Sequence, residues 1–298
     1  MKELVYYKDI QIIPNKFNQR QISKTSKQLT IEPFNKFSQQ EILKMERAAI
    51  NVAKYVSDTR RINSVKDALN IFLMSLKQAH HGRDVIADLE SKLQNYIVKF
   101  DIYKNHWQKQ IGGIEDQDKK NRFEKIFKEA THDAFDSSNN FALACCFRDY
   151  LIHGSNLIEN FCTNLSSASV LASRDKLLND WEWSKTKTKL ISSQPELIDL
   201  EKVVVESFEE LCEINKQLID ARTAEIIGDC KYLLVQYEKI QIPEKYLTCW
   251  NIMEKRIYDN VIKNKDAHFN SRKEMTMNMI PLNWSQYQRI YEYWEQIK

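Results

Sequence analysis

Arg148, Asp149 and His153 are the residues whose types and spacing could do chemistry. They lie in the stretch Ser137–Ile158, SSNNFALACCFRDYLIHGSNLI, where Arg148 and Asp149 are the only formally charged side chains in a chain that is 29% charged. The rest of the stretch reads as a helix built for an interior, with Phe141, Ala144, Cys145, Phe147, Leu151 and Ile152 covering a wide apolar arc. A guanidinium flanked in this way is at least partly buried and needs anionic partners. A core helix that keeps an Arg and a His near its end either holds a buried polar pair or builds a site. On an ideal helix Asp149 projects about 100° from Arg148, a poor direction for a partner, and His153 projects about 140° from it. Gly154 alters the second relation. If the helix ends at His153 and Gly154 takes the left-handed conformation, the imidazole can swing back toward the Arg.

The other chemistry-bearing residues are less concentrated. Lys185, Lys187 and Lys189 alternate with Thr just after Trp181 and Trp183, a basic and aromatic composition that suits single-stranded nucleic acid. Exposed lysines after a packed Trp are the commoner outcome of such a pattern. Lys16, Arg20, Lys24 and Lys27 form a basic lead-in with no acidic residue before Glu32. His80, His81 and His106 have no carboxylate or thiol at ligand spacing, so no metal or other cofactor is expected. Cys145 or Cys146 as a nucleophile would need a facing His, and a disulfide between these neighbours would be strained. Gly112-Gly113 is isolated, and without a phosphate-cradling loop a nucleotidase or kinase is disfavoured.

A chain of 298 residues, 43% apolar and 11% aromatic, is long enough for a sizeable core and is not disordered. Five glycines and five prolines are too few for a fold of many hairpins, so the expectation is all-α, with long helices and few connections. The 44 basic and 41 acidic residues leave +3, which does not imply nucleic-acid binding except through a local patch. None of the six cysteines forms a CxxC pair, and no signal peptide opens the chain, so they read as reduced core thiols in a cytoplasmic protein. Arg148 and Asp149 interrupt the best apolar run, so no membrane span is expected.

The elements that must position these residues follow from periodicity. Residues 1–37 do not read as helix; LVYYKDIQII suits a strand or an extended arm, and the whole segment reads as a basic arm. Ser38 and Glu41 form a capping-box spacing ahead of Ile42, Met45, Ala49, Val52 and Val56. Ser64 can cap a second helix through Ala68, Ile71, Phe72 and Leu76 to Gly82, and Asp84 a third through Leu89, Leu93, Tyr96, Ile97, Phe100 and Tyr103. Residues 119–135 are amphipathic, and the central helix follows Ser137-Ser138. Leu165–Ser173 reads as a Ser-rich connection, with Ser173 capping RDKLLNDWEW. Pro195 opens a long helix, and another runs from Ala221 to about Ile240. In the tail, Trp284, Tyr287, Tyr291 and Trp294 form a stripe suited to docking on the core or a second subunit. The expected divisions are 1–37, an all-α domain over 38–242, and a helical extension over 243–298.

FRDYLIHG resembles the motif of the HEPN superfamily in spacing, helical context and flanking residues: an Arg, a polar residue directly after it, and a His five positions on. The stretch from RDKLLNDWEW to PELIDL, followed by a long helix, is similar to an arrangement seen in bacterial HEPN-like proteins, and together the resemblance spans roughly residues 119–220. It implies an up-down helical bundle, here with an added N-terminal arm and C-terminal helices, and a homodimer whose two motifs face each other across one cleft. It further implies a metal-independent endoribonuclease that cuts RNA through the 2′-hydroxyl, a toxin or antiviral-defence effector with an antitoxin or regulatory protein as a further partner. By resemblance, His153 would be acid/base, Arg148 the phosphate clamp and Asp149 the group orienting His153. Asn156, Lys185, Lys187 and Lys189 would contact substrate. Asp149 departs from the Asn frequent in active members, and its carboxylate must be paired if phosphate is to bind beside it. The alternative of a different class is an inert HEPN-like interaction or nucleotide-binding protein.

Overall fold

The computed structural model describes residues 4–8, 39–79, 85–153, 156–163, 168–240, 250–254, 280–282 and 284–298. Helices dominate: α1 (Gln39–Gln78), α2 (Val85–Gly112), α3 (Gln117–Ser137), α4 (Asn139–His153), α5 (Arg174–Asp180), α6 (Lys185–Ser192), α7 (Leu200–Ile240) and α8 (Trp284–Ile297). The protein is mostly all-α, a helical bundle with two small antiparallel sheets. One sheet has the order β1 (Leu4–Lys8), β5 (Trp250–Glu254), β6 (Ile280–Leu282), and the other β2 (Asn160–Thr163), β3 (Ala168–Ser173), β4 (Leu197–Asp199).

The chain forms two compact units, Ser57–Ala221 and Met1–Val56 with Arg222–Lys298. Both cuts fall inside helices, in α1 and in α7. The basic arm residues Lys16, Arg20, Lys24 and Lys27 lie outside the described residues, as do His80, His81 and Asp84.

Two expected helix breaks are absent. α1 is one helix of 40 residues. The Ser64 hydroxyl donates back to the Arg61 carbonyl at 2.9 Å, which satisfies it inside the helix without capping a new one. Val65, Ala68, Leu69, Phe72 and Leu76 keep the buried stripe going, whereas Ile71 faces out. α7 starts after Pro195 and β4, where the Asp199 carboxylate accepts from the Lys202 amide at 3.1 Å. It passes Ala221 without interruption because Leu218, Ile219, Ile226, Cys230 and Leu233 stay in register for burial. The supposed Ser-rich connection contains β3, whose Leu171, Ala172 and Ser173 lie opposite Asp199, Ile198 and Leu197.

In the Ser57–Ala221 unit the core is an interlock of α2, α3, α4 and α7. α2 buries Leu89, Leu93, Tyr96, Ile97, Phe100, Tyr103 and Trp107. The Tyr96 hydroxyl meets α7 twice, donating to the Val204 carbonyl and pairing with the Ser207 hydroxyl, both at 2.9 Å. Phe100 stands edge-on to Phe141 of α4 at 5.3 Å between ring centres. Each fully buried large side chain contributes about 1.5–3 kcal/mol relative to exposure. Cys162 departs from the expectation of core thiols. It lies in β2 and is exposed, while Cys146 and Cys230 are buried.

In the other unit, the first part of α1 meets the last part of α7. Tyr55 and Thr223 pair their hydroxyls at 2.8 Å, and Asn51 donates to Asp229 at 2.8 Å. α8 buries Tyr287 of the aromatic stripe together with Ile290, with the Lys231 ammonium 5.3 Å from the Tyr291 ring centre. Among the described residues no helix is long and apolar enough to cross a membrane.

Candidate functional site

The site is built on α4. Ser138 starts it by accepting from the Phe141 amide at 3.3 Å, and His153 is its last residue. Phe141, Ala142, Leu143, Ala144, Cys146, Phe147 and Tyr150 are buried against the surrounding helices. That arc leaves Arg148 and Asp149 together on the open edge, with side chains 38% and 30% exposed.

The two groups are direct partners, against the expectation from their backbone directions. Arg148 Nη1 donates to Asp149 Oδ1 at 3.0 Å. A separation of about 100° fixes only the Cβ vectors. The three-carbon stem of Arg carries its guanidinium across that gap when both side chains lie at one surface. Arg148 Nε donates in turn to Asp101 Oδ2 of α2 at 3.2 Å. The other Asp149 oxygen accepts from Lys187 Nζ of α6 at 2.5 Å. One turn back on α4, Lys104 Nζ of α2 donates to Cys145 Sγ at 3.1 Å.

α6 reaches α4 through an aromatic and polar brace. Tyr150 stacks on Trp183 with ring centres 6.3 Å apart and donates to Asp180 at 3.0 Å. Trp183 Nε1 donates to the Leu177 carbonyl at 2.7 Å. Ser173 caps α5 by accepting from the Lys176 amide at 3.3 Å, as its position in the sequence suggested. The tryptophan ahead of the lysines is therefore a packing residue, and it sets Lys187 beside Asp149.

The electrostatics follow the contacts. Burial alone would raise the Asp149 carboxyl, but hydrogen bonds from Lys187 and Arg148 outweigh it and hold the group below the ordinary carboxylate value. The Asp149 hydrogen bond, against some burial, strengthens the proton affinity of Arg148, with Asp101 adding to it. Burial disfavours the Lys187 ammonium, yet its bond to Asp149 raises it. Two cations and two carboxylates thus cancel formally, with the Lys104 ammonium nearby. Cys146, beneath this edge, has its thiol pushed up to about 12 by burial, which removes it as a nucleophile near neutral pH.

Of the residues singled out from the sequence, Arg148, Asp149 and Lys187 come together. Lys185 and Lys189 are exposed on α6, two positions to either side of Lys187 and hence about 200° around the helix from it. Asn156 is exposed three residues past the end of α4. His153 is the last residue of α4, and its side chain and Gly154, on which the swing toward Arg148 depends, lie outside the described residues. Asp101, Lys104 and Glu90 of α2 were missed. The signal for two of them was present: Glu90, Leu93, Ile97, Phe100 and Lys104 recur every three or four residues, so charged groups occupy both ends of a buried stripe. Among the described residues no group of three or more His, Cys, Asp or Glu side chains is arranged to hold a metal ion.

Comparison with protein-family models, with curated proteins and with solved structures gives no match.

Proposed function

We propose that this protein is a HEPN-type, metal-independent endoribonuclease whose site lies along the open edge and C-terminal end of α4. The observation that carries the reading is the Arg148 guanidinium, 38% exposed, held at the edge of a helix whose last residue is His153. Arg148 offers a planar fork for an RNA phosphate, and Lys187 supplies a second cation across Asp149. His153 supplies the imidazole that takes the 2′-hydroxyl proton or protonates the leaving oxygen. The products are a 2′,3′-cyclic phosphate and a 5′-hydroxyl, and DNA is spared because it lacks the nucleophile. Asp149, bonded to both cations, is read here as the group that holds the clamp in place of one that orients His153. The biological setting of a toxin or defence effector, with a regulatory protein, belongs to the same proposal, as does a homodimer pairing through α4.

A second reading has its own support. Asp101 and Asp149 already take two of the five guanidinium N–H donors and pair its charge, which weakens its pull on a phosphate. In that reading the cluster is a structural network and the protein is an inert interaction module.

The test is incubation of the full chain with RNA in EDTA, with analysis of product ends. Cleavage by wild type should fall about 10²–10⁴-fold in His153→Ala and about 10²–10³-fold in Arg148→Ala. The same two variants should relieve growth arrest on expression, and mass in solution should report a dimer. RNA left intact by wild type and both variants, all equally harmless to the host, selects the interaction module.

A further inference from the structure

We propose that Glu90 is a positioning residue of this site, fixing the backbone just beyond His153 and thereby where the end of α4 presents that histidine. The inference deepens the ribonuclease reading and rests on it for the role of His153. Glu90 lies on α2 and is 3% exposed. Each of its carboxylate oxygens takes one backbone amide: Oε1 accepts from Leu157 N at 2.9 Å and Oε2 from Ile158 N at 2.8 Å. The next amide, Glu159 N, donates to the carbonyl of Leu171 in β3 at 2.9 Å. Three consecutive amides, four to six residues past His153, are therefore fixed to two different elements. Leu157 and Ile158 are themselves buried, which seals the carboxylate from water.

A carboxylate in such a place is costly unless its oxygens are satisfied. Glu90 shares its helix face with Leu93, Ile97 and Phe100, and a chain that needed only a filled core there would carry another apolar residue. Among the described residues no ion pair involves Glu90; apart from the Gln94 side chain, which donates to Oε1 at 3.5 Å, what it meets is backbone, through its two acceptor oxygens. The same helix meets α4 again through Asp101 at Arg148 and Lys104 at Cys145. α2 thus meets the region of the motif at two places, Arg148 through Asp101 and the Leu157 and Ile158 amides through Glu90.

The experiment uses the full chain and the isosteric Glu90→Gln variant, which puts an NH2 donor opposite one of two amide donors. In wild type, the Leu157 and Ile158 amides should exchange with solvent as slowly as core-helix amides; fast exchange overturns the proposal without any variant. In Glu90→Gln the His153 imidazole resonances and their titration midpoint should move. Tyr96→Phe, which destabilises the α2–α7 contact, should leave both in place. Unchanged His153 titration in a folded Glu90→Gln protein, or an equal change in Tyr96→Phe, overturns the proposal. With RNA as substrate, kcat should drop on the order of 100-fold while KM stays within roughly two-fold, because the phosphate contacts are untouched. A loss confined to KM overturns it. If wild type cuts no RNA, the ribonuclease reading fails, and the exchange and titration measurements still decide what Glu90 does.

Discussion

Replacing Asp149 by Asn is the perturbation that separates the two readings of the Arg148 cluster. Asp149 accepts from Arg148 at 3.0 Å and Lys187 at 2.5 Å, and about a third of each partner's side chain is exposed. A charge-assisted bond is worth about 1.5–3 kcal/mol when desolvated and about 0.2–1 kcal/mol at a surface. At this exposure about 1 kcal/mol per bond is appropriate, or about 2 kcal/mol for the pair. Asn keeps the shape and one neutral acceptor, so the expected destabilisation at pH 7 is about 1 kcal/mol. The sign with pH follows from the depressed carboxyl. Its stabilisation is fully present above the unfolded value of roughly 3.9 and is lost as pH falls through the lower folded value. Urea unfolding should therefore show wild type ahead at pH 7 and the difference shrinking below about pH 4. Binding should move the other way. A phosphate seated on the guanidinium would lie about 6 Å from Asp149, and at an effective dielectric constant of about 40 their repulsion is about 1.4 kcal/mol. A 2′-O-methyl RNA, which cannot be cleaved through the 2′-hydroxyl, should accordingly bind Asp149→Asn about tenfold more tightly. Weaker binding by the variant would refute this reasoning, because Asp149 would then be organising the clamp more than it repels the ligand. Equal stability at pH 7 would show that the network holds nothing.

Two further outcomes follow from groups away from that edge. Thiol-labelling of the native protein at pH 8 should modify exposed Cys162 and leave Cys146 and Cys230 untouched until unfolding, since burial pushes both of the latter to about 12. His106 sits 3.3 Å from the buried Asp58 carboxylate, with Arg61 and Lys109 also acting on it, and burial lowers its proton affinity despite Asp58. Below roughly pH 6.5 the unfolded chain takes a proton that the folded one resists, so stability falls with pH there. His106→Gln should flatten that slope in urea titrations between pH 7 and 5.

How much was legible depended on whether the deciding interaction was local. The scarcity of Gly and Pro announced long helices, and the stripe Leu89, Leu93, Tyr96, Ile97, Phe100 and Tyr103 marked the buried face of α2 correctly. The cap at Ser173 was also readable, because a cap and the amide it satisfies lie within one turn. The breaks expected at Ser64 and at Ala221 misled for a related reason. Apolar residues on either side of both positions remain in register, and burying one continuous stripe outweighs a weak local break. β3 looked like a connection because of its Ser-rich lead-in; it is the middle strand between nearby β2 and β4, the latter more than twenty positions away.

By itself the sequence determined that a nearly uncharged helix would carry one Arg, one Asp and one terminal His, since charge pattern and helix length are properties of neighbouring residues. Only the tertiary structure decided what those groups meet. It set Asp101 on Arg148 across 47 residues, Lys187 on Asp149 across 38, and Glu90 on the Leu157 and Ile158 amides across 67 and 68. It also joined Arg148 to its neighbour Asp149, because a long side chain at an open edge is not bound to the direction of its Cβ. Helical period fixes which face a residue takes. The partner waiting at that face is fixed by packing between helices, which no short window of residues contains.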